Sequence, residues 1–358
     1  MTPDAATTLL DCLWHWERVR PGGVYCTQPV APGIVVDYRW DVVADQVRRM
    51  AGHLRSLDLP PESRIALLGN NSAHWIMADL AIWTAGHVSV PLAPHASAAT
   101  VRFVLDDSAA RLVFVGALDQ PWPTIAPFLP ESLPRIALPL APAIDAFTWD
   151  TLIARTAPWR DAPPRRPHDV ATIAYGARRQ GTPDGVPTTF EAMQAAARTL
   201  GGFLPLRPED RMLSHLSFAH PEARAMVEAL SLGHGFRLFF ASGRATIEED
   251  LRRARPTLAF SLPRAFVNFH ADVHAKALAR RRDALLLRVP FAARAVQHRI
   301  LEKLGLDQVR AAVTGPLPTD VAAWYRRIGL ALIEGSAFTS SFGFAVPEPA
   351  LDPTTAAA

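Results

Sequence analysis

"RIALLGNNSAHWIMADLAIWTAGHVSVPLAP" (residues 64–94) carries the clearest indication of the fold class of this chain. Its apolar opening, "RIALL", predicts a buried strand, and the following Gly-Asn-Asn predicts a turn. Residues 72–87 predict a helix, with Ser72 as its N-cap and Gly86 near its end. "VSVPLAP" then predicts a second strand. A strand, a helix and a strand at this spacing indicate an α/β fold with a parallel sheet and right-handed crossovers.

The same alternation extends on both sides of this stretch. Residues 41–57 predict an amphipathic helix, because Val43, Val47 and further apolar residues recur at helical spacing. Residues 97–107 predict another helix, and "ARLVFVG" (110–116) predicts a third strand. The proline-containing segment that follows, up to Pro167, predicts a surface connection with a short helix.

A second α/β unit begins near residue 170. Its predicted strands and helices are 170–176, 188–204, 210–216, 221–233, 236–241, 246–256 and 257–263, then an arginine-rich helical stretch over 264–304 and two further strand-and-loop units. We therefore divide the chain into a first α/β subdomain with the proline-rich connection (1–165), a second α/β subdomain (166–345) and a flexible tail (346–358).

Composition narrows the function classes. The chain has 358 residues, 49% of them apolar and 20% charged, which is typical of a globular protein and excludes disorder as its main state. A net charge of +3, with no recognisable module or stacking aromatics, gives no case for nucleic-acid binding. Two cysteines, no secretory signal and no apolar run near the roughly 20 residues of a membrane span predict a cytoplasmic protein.

"YGARRQGTPDGVP" (175–187) has the form of a phosphate-binding turn. It follows an apolar strand and ends in a Gly-x-Pro-x-Gly pattern. Its centre, however, carries Arg178 and Arg179, and Asp184 adds a negative charge. Such loops bind phosphate through close backbone amides, and glycine permits that approach where a side chain does not.

Several segments resemble the AMP-forming acyl-CoA synthetases, which are adenylate-forming enzymes, and in particular the bacterial long-chain fatty-acid-CoA ligases. The matching segments are residues 37–116, "DRMLSHLSFAHPEARAMVEALSLGHG", "EEDLRRARPTLAFSLPRAFVNF", "ILEKLGLDQVRAAVTGPLP" and "WYRRIGLALIEG". The resemblance implies the family's large N-terminal domain, with two sheet-and-helix subdomains and a small β-barrel-like part. It also implies ATP, AMP and Mg²⁺ as ligands, an acyl-adenylate intermediate and acyl transfer to coenzyme A.

The resemblance assigns residues to the nucleotide site. The loop 175–187 lies where the family has its phosphate loop, usually Thr-Ser-Gly-Thr-Thr-Gly-x-Pro-Lys-Gly. Arginines replace hydroxyl- and glycine-rich positions, yet guanidinium groups suit phosphate, and Asp184 replaces the lysine. Residues that agree with the family or are candidates for cofactor binding are Tyr175, Arg178, Arg179, Gly181, Pro183, Gly185, Thr314, Gly315, Pro316 and Thr339. His220 lies where the family often has a histidine beside the acyl pocket, which suits either substrate binding or retention by ancestry.

A second family motif also departs from the pattern. "EGSAFTSSFG" (334–343) retains Thr339, but Ser336 replaces the adenine-stacking aromatic and Ser340 replaces the glutamate expected to hold Mg²⁺. A serine hydroxyl is a poor substitute for a carboxylate on this cation. The likeness ends near Gly343, and we expect the family's C-terminal lid domain to be absent, which puts coenzyme A binding in doubt.

These departures favour a non-catalytic homologue that holds a fatty acid or acyl-adenylate, or that pairs with an active synthetase. Two alternatives stay open. One is an active ATP-dependent ligase with a divergent loop and a lid supplied by another chain. The other is a decaying gene product without a selected role.

Two other features have competing interpretations. His270 and His274 lie one helical turn apart, a spacing that suits Zn²⁺, but a solvated helix face explains them better and we expect no metal site. Residues 280–304 mix arginines with apolar residues, which suits either peripheral contact with an anionic membrane or a helix packed on the core. We favour the packed helix.

Overall fold

The computed structural model describes residues 8–176, 184–202, 204–261, 263–278, 298–299, 301–330 and 332–334. The described strands form two sheets of seven. The strands are β1 (Val24–Ala31), β2 (Ile34–Arg39), β3 (Arg64–Leu68), β4 (Val88–Leu92), β5 (Leu112–Val115), β6 (Arg135–Ala137), β7 (Phe147–Thr148), β8 (Val170–Tyr175), β9 (Gly185–Thr189), β10 (Arg211–Ser214), β11 (Arg237–Phe240), β12 (Leu258–Phe260), β13 (Ala311–Thr314) and β14 (Leu332–Glu334).

Helices cover both faces of these sheets. They are α1 (Leu9–Val19), α2 (Trp40–Ser56), α3 (Ala73–Thr84), α4 (Ala98–Asp107), α5 (Trp122–Ile125), α6 (Trp149–Arg155), α7 (Phe190–Gly201), α8 (Pro221–Ala223), α9 (Leu230–His234), α10 (Ile247–Ala254), α11 (Pro263–Leu278) and α12 (Thr319–Arg327). A π-helical turn, Arg224–Ala229, joins α8 to α9.

Both sheets are parallel except at one edge. We call the sheet β14-β13-β12-β10-β11-β1-β2 the first sheet and β7-β6-β5-β3-β4-β8-β9 the second sheet. Only β1–β2 and β8–β9 pair in antiparallel fashion among the described strands. The parallel arrangement predicted from residues 64–94 is confirmed, with β3 and β4 in register from Arg64 opposite Val88 to Leu68 opposite Leu92.

The two sheets exchange segments across residue 165. The hairpin β1–β2 joins the strands of the C-terminal half, because β1 pairs with β11. In turn, β8 and β9 join the strands of the N-terminal half through β4. The family's small β-barrel-like part has no counterpart among the described strands, because each sheet is open and has two edge strands.

Helix α3 shows why this sequence folds as it does. The Ser72 hydroxyl accepts a hydrogen bond from the Trp75 amide at 3.0 Å, which caps the helix as predicted. All twelve residues of α3 are buried. A helix that is buried on every side needs neighbours on every side, and α3 accordingly lies between the two sheets.

The apolar core has three principal clusters, one in each helical layer of the fold. The largest apolar cluster contains residues of both sheets together with α1, α2, α3, α7 and α9, so these helices fill the space between the sheets. A second cluster packs α4 and α5 on the outer face of the second sheet. A third packs α11 and α12 on the outer face of the first sheet. The order is helix, sheet, helix, sheet, helix.

A buried ionic cluster lies in the central helical layer. The Arg224 guanidinium, at the start of the π-helical turn, pairs with Asp79 of α3 and with Glu228 at 2.9 Å. It also donates to the Thr172 hydroxyl of β8 at 2.7 Å. Trp75 and Trp83 pack their rings 5.5 and 5.4 Å from the guanidinium carbon. The cluster therefore connects α3 and the π-helical turn, which both lie in the central layer, to β8 of the second sheet.

Some elements differ from those predicted. The proline-rich segment contributes β6 and β7 to the second sheet, and Ile136 and Ala137 of β6 are buried. The helix predicted to start at residue 188 begins at Phe190, because residues 185–189 form β9. The arginine-rich helix begins as α11, whereas residues 279–297 lie outside the described part of the chain.

Candidate functional site

The carboxyl ends of the parallel strands form the candidate site. In open α/β sheets, ligands bind outside these ends, where loops can converge on them. The ends that carry predicted site residues are those of β8 in the second sheet and β13 in the first. Tyr175 closes β8, and Thr314 closes β13.

Tyr175 and Gly185 form the base of a hairpin. They face each other in the antiparallel pair β8–β9, and residues 176–184 lie between them in the sequence. A Cβ atom added to Gly185 would lie 2.8 Å from Tyr175 Cζ, which only glycine avoids. Tyr175 Oη donates to Asp107 Oδ2 at 2.7 Å. Burial, and to a smaller extent this hydrogen bond, raises the pKa of the Tyr175 phenol. The frame of the predicted phosphate loop is thus fixed by packing.

The predicted phosphate-contacting residues are only partly visible. Asp184 is described and directly precedes β9, at the base of the loop. The other loop candidates, and the one in the second motif, lie outside the described residues: Arg178, Arg179, Gly181, Pro183 and Thr339. Their assignment to the nucleotide site stays a prediction.

Thr314 and Gly315 lie at the second strand end. The Thr314 side chain is buried, and within the described part of the chain its Oγ1 atom has no hydrogen-bond partner. A Cβ atom on Gly315 would lie 2.9 Å from Pro263 Cγ, so glycine is required where α11 begins. Pro316 is exposed. Thr314 also pairs in register with Glu334, whose Oε2 accepts from the Leu317 amide at 3.1 Å.

Asn71 joins the strand ends of the two sheets. It belongs to the Gly-Asn-Asn turn after β3, and its Nδ2 donates to Ser214 Oγ at 2.8 Å and to the Leu216 carbonyl at 2.6 Å. Its Oδ1 accepts from the Phe218 amide at 3.0 Å. This side chain thereby positions the loop that precedes His220. The sequence indicated a turn here, but nothing in it indicated the partner 140 or more residues away.

Replacing Asn71 with Ala should lower the free energy of unfolding by about 2–4 kcal/mol, because it leaves partly buried polar groups without partners. Urea unfolding measures this loss. Asn70 offers a matched control, since its side chain donates one exposed hydrogen bond, to Asp119 at 2.9 Å. Asn70→Ala should cost less than about 1 kcal/mol. Equal losses in the two variants would contradict the bridging role of Asn71.

His220 lies at the start of α8 and is exposed. Its carbonyl accepts from the Arg224 amide at 3.2 Å, which places it one helical turn before the buried ionic cluster. Its predicted role in substrate binding stays a prediction. A second histidine of the same loop, His215, faces Ser261 with 3.0 Å between Nε2 and Oγ.

Of the two histidines at positions 270 and 274, the first packs against a neighbouring helix. The His270 ring of α11 meets the Trp324 ring of α12 edge-on, with centroids 5.0 Å apart. The side chain of His274 lies outside the description. Across the described residues, no cluster of three or more His, Cys, Asp or Glu side chains is suited to holding a metal ion. No helix in the same part of the chain has the length and apolarity to cross a membrane.

A nucleotide fits this edge of the sheets in one respect. The buried Thr314 hydroxyl, at the strand end that the resemblance assigns to the nucleotide, has no hydrogen-bond partner among the described residues. The Mg²⁺ position implied by the resemblance falls at Ser340, which is not among the described residues. The residues that would complete a nucleotide site are therefore those of the loop 176–184 and the second motif.

Sequence comparisons agree on one family. The profile of the AMP-binding enzyme family matches residues 27–356. A long-chain-fatty-acid–CoA ligase, FadD15 of Mycobacterium bovis, is 28% identical over 88% of this chain and 58% of its own length. The peroxisomal long chain acyl-CoA synthetase 6 of Arabidopsis thaliana is 28% identical over 67% of this chain and 36% of its own. The matches thus cover 58% and 36% of the length of these two curated relatives.

Structural comparisons show the same fold. The anthranilate CoA ligase AuaEII, solved with anthranoyl-AMP, superposes with a TM-score of 0.73 over 93% of this chain and 60% of its own, at 17% identity. The N-terminal domain of FACL13 from Mycobacterium tuberculosis superposes with a TM-score of 0.70 over 96% of this chain and 77% of that one, at 22% identity. The two-sheet architecture is that of the N-terminal domain of adenylate-forming CoA ligases, and the chain belongs to the AMP-binding enzyme family.

Proposed function

We propose that this chain is a long-chain fatty-acid-CoA-ligase-like protein of the cytoplasm that binds an acyl chain or acyl-adenylate but adenylates poorly or not at all. The observation that carries the proposal is Asp184. It lies at the base of the phosphate-loop hairpin, next to the fixed pair Tyr175–Gly185. The loop frame is retained, while the charge at position 184 is inverted relative to the family's lysine.

The negative charge of Asp184 opposes the binding and reaction of a triphosphate, which the family's chemistry requires. A unit charge about 4 Å from a phosphate contributes roughly 1–4 kcal/mol between the bulk-water and effective-protein limits. Loss of hydroxyl donors in the loop adds about 2–4 kcal/mol for each donor that acts in the transition state. Together these changes weaken both nucleotide binding and adenylation, without disturbing the apolar core that surrounds the site.

Similarity to long-chain ligases supports a fatty acid as the ligand. The cytoplasmic assignment is supported by Cys12 and Cys26, which are both buried and unbridged. We further propose that the protein acts in lipid metabolism together with an active synthetase. A second candidate, an active ligase completed by a lid from another chain, is favoured by Arg178 and Arg179, since two guanidinium groups suit a triphosphate.

ATP–pyrophosphate exchange with Mg²⁺ and a panel of fatty acids tests the proposal. We expect no exchange above a heat-killed control, while fatty acids or a non-hydrolysable acyl-adenylate analogue raise the melting temperature, because a ligand of the native state stabilises it. Robust exchange would support the second candidate instead. If there is neither exchange nor a thermal shift, the result contradicts both a fatty acid and an acyl-adenylate as the ligand.

Asp184→Lys should tighten ATP binding about tenfold or more, because it replaces a repulsive charge with an attractive one. Isothermal titration calorimetry measures the change. Asp161→Lys is the matched control, since it makes the same charge change in an exposed part of the proline-rich segment. A similar gain from Asp161→Lys, or none from Asp184→Lys, would show that Asp184 does not face the phosphates.

A further inference from the structure

An apolar cavity of about 200 Å³ lies on the outer face of the first sheet. Leu213 and His215 point to this face, whereas Ser214 between them points to the central layer and contacts Asn71. Helices α10 and α11 cover the cavity, with Leu251 and Phe266 among its lining residues. It is therefore separated by the sheet from the helical layer that contains α8, α9 and the buried ionic cluster.

The cavity is aromatic and carries one polar end. Phe266, Phe269 and Tyr325, which pack on this face of the sheet, contribute rings to its wall. The Tyr325 hydroxyl is already occupied, because it donates to the Phe266 carbonyl at 2.9 Å. Among the described lining residues, the remaining polar groups are the His215 and Ser261 side chains.

The hydrogen bonds of His215 and Ser261 determine which donors and acceptors the polar end of the cavity presents to a ligand. His215 Nδ1 lies 3.3 Å from the Leu213 carbonyl, which only accepts, so the ring proton is on Nδ1. Nε2 then accepts from the Ser261 hydroxyl at 3.0 Å. Burial lowers the pKa of His215, which keeps the ring neutral at neutral pH. Ser261 Oγ is left with lone pairs that accept a hydrogen bond.

We propose that this cavity binds a small aromatic molecule bearing a hydroxyl group, of the phenol class, with its ring among the phenylalanines and its O–H donating to Ser261 Oγ. The volume suits such a ligand, since an apolar cavity of about 150 Å³ in another protein admits benzene. A neutral donor is preferred to a carboxylate, because both side chains at the polar end are uncharged and an unpaired anion would be costly to bury.

Calorimetric titration of the whole chain with phenol and with its isostere toluene tests the proposal. Ser261→Ala should weaken phenol binding roughly three- to tenfold, the equivalent of one neutral hydrogen bond, and leave toluene binding within about twofold of wild type. Ser56→Ala, a serine at the exposed end of α2, should change neither affinity.

Filling the cavity is the second arm of the test. Ala259 lines it, and Ala259→Leu should abolish binding of both ligands. If that variant fails to fold, Ala259→Val, which adds two carbons, should weaken both ligands. Three results would overturn the proposal: neither ligand binds the wild type, both bind Ala259-substituted protein at wild-type affinity, or Ser261→Ala weakens phenol and toluene equally.

Discussion

Arg224→Met should lower the free energy of unfolding by about 3–5 kcal/mol, because it leaves two buried carboxylates without their counter-charge. Asp79 and Glu228 are fully buried, and each already has one carboxylate oxygen without a hydrogen-bond partner among the described residues. Burial raises the pKa of the Asp79 carboxyl well above its usual range, although the Arg224 guanidinium opposes that shift. Without Arg224, nothing from this guanidinium counteracts the effect of burial on the Asp79 pKa. Guanidinium chloride unfolding, followed by circular dichroism, measures the loss.

Arg102→Met is the matched control. Arg102 also pairs with a carboxylate four residues along a helix, Asp106, but both side chains are about half exposed. Its removal should cost about 0.5 kcal/mol or less, since water screens exposed pairs. A rescue adds a second check: the triple variant Arg224→Met, Asp79→Asn, Glu228→Gln should recover much of the loss. A loss in Arg224→Met no larger than that in Arg102→Met would refute the role of the cluster.

Gly305→Ala should destabilise the protein by about 2–5 kcal/mol, through backbone strain and a steric clash together. Gly305 has φ +70, and a Cβ atom there would lie 2.4 Å from the Leu251 carbonyl carbon. The clash is with backbone of α10, which cannot rotate away as a side chain does. The expected result is a lower melting temperature, together with weaker binding in the cavity that α10 covers.

Gly33→Ala separates strain from clash. Gly33 has φ +73, nearly the same conformation, but nothing lies within 4 Å of the Cβ position. This variant should cost only about 1–2 kcal/mol, the cost of the left-handed conformation for an L-residue. If both variants lose the same amount, the contact between Gly305 and α10 contributes nothing measurable.

Much of the fold was predictable because it is encoded in local patterns. The helical spacing of Val43 and Val47 and the cap at Ser72 each act within a few residues, and the predicted elements α2 and α3 are confirmed. The short strands β6 and β7 were missed, since two or three residues between prolines carry no periodicity. The pairing of β6 with β5 and of β7 with β6 is a tertiary effect.

The candidate site was predictable only in part. Tyr175 and Gly185 were identified from the loop pattern, and the structure brings them into direct contact. Asp107, which holds the Tyr175 hydroxyl, and Asn71, which joins the sheets, were missed because their partners are distant in sequence. Glu334 was missed as well, and its pairing with Thr314 depends on the register of β14 against β13.

The fold class, the family and the inverted charge at Asp184 can all be read from the amino-acid sequence, because periodicity, motif spacing and residue identity are local properties. Three features require the folded chain: the strands that share a sheet across residue 165, the contact of Arg224 with Asp79 and Glu228, and the aromatic cavity behind His215 and Ser261. These depend on burial between elements far apart in the chain, where desolvation makes each polar contact obligatory and each void available to a ligand.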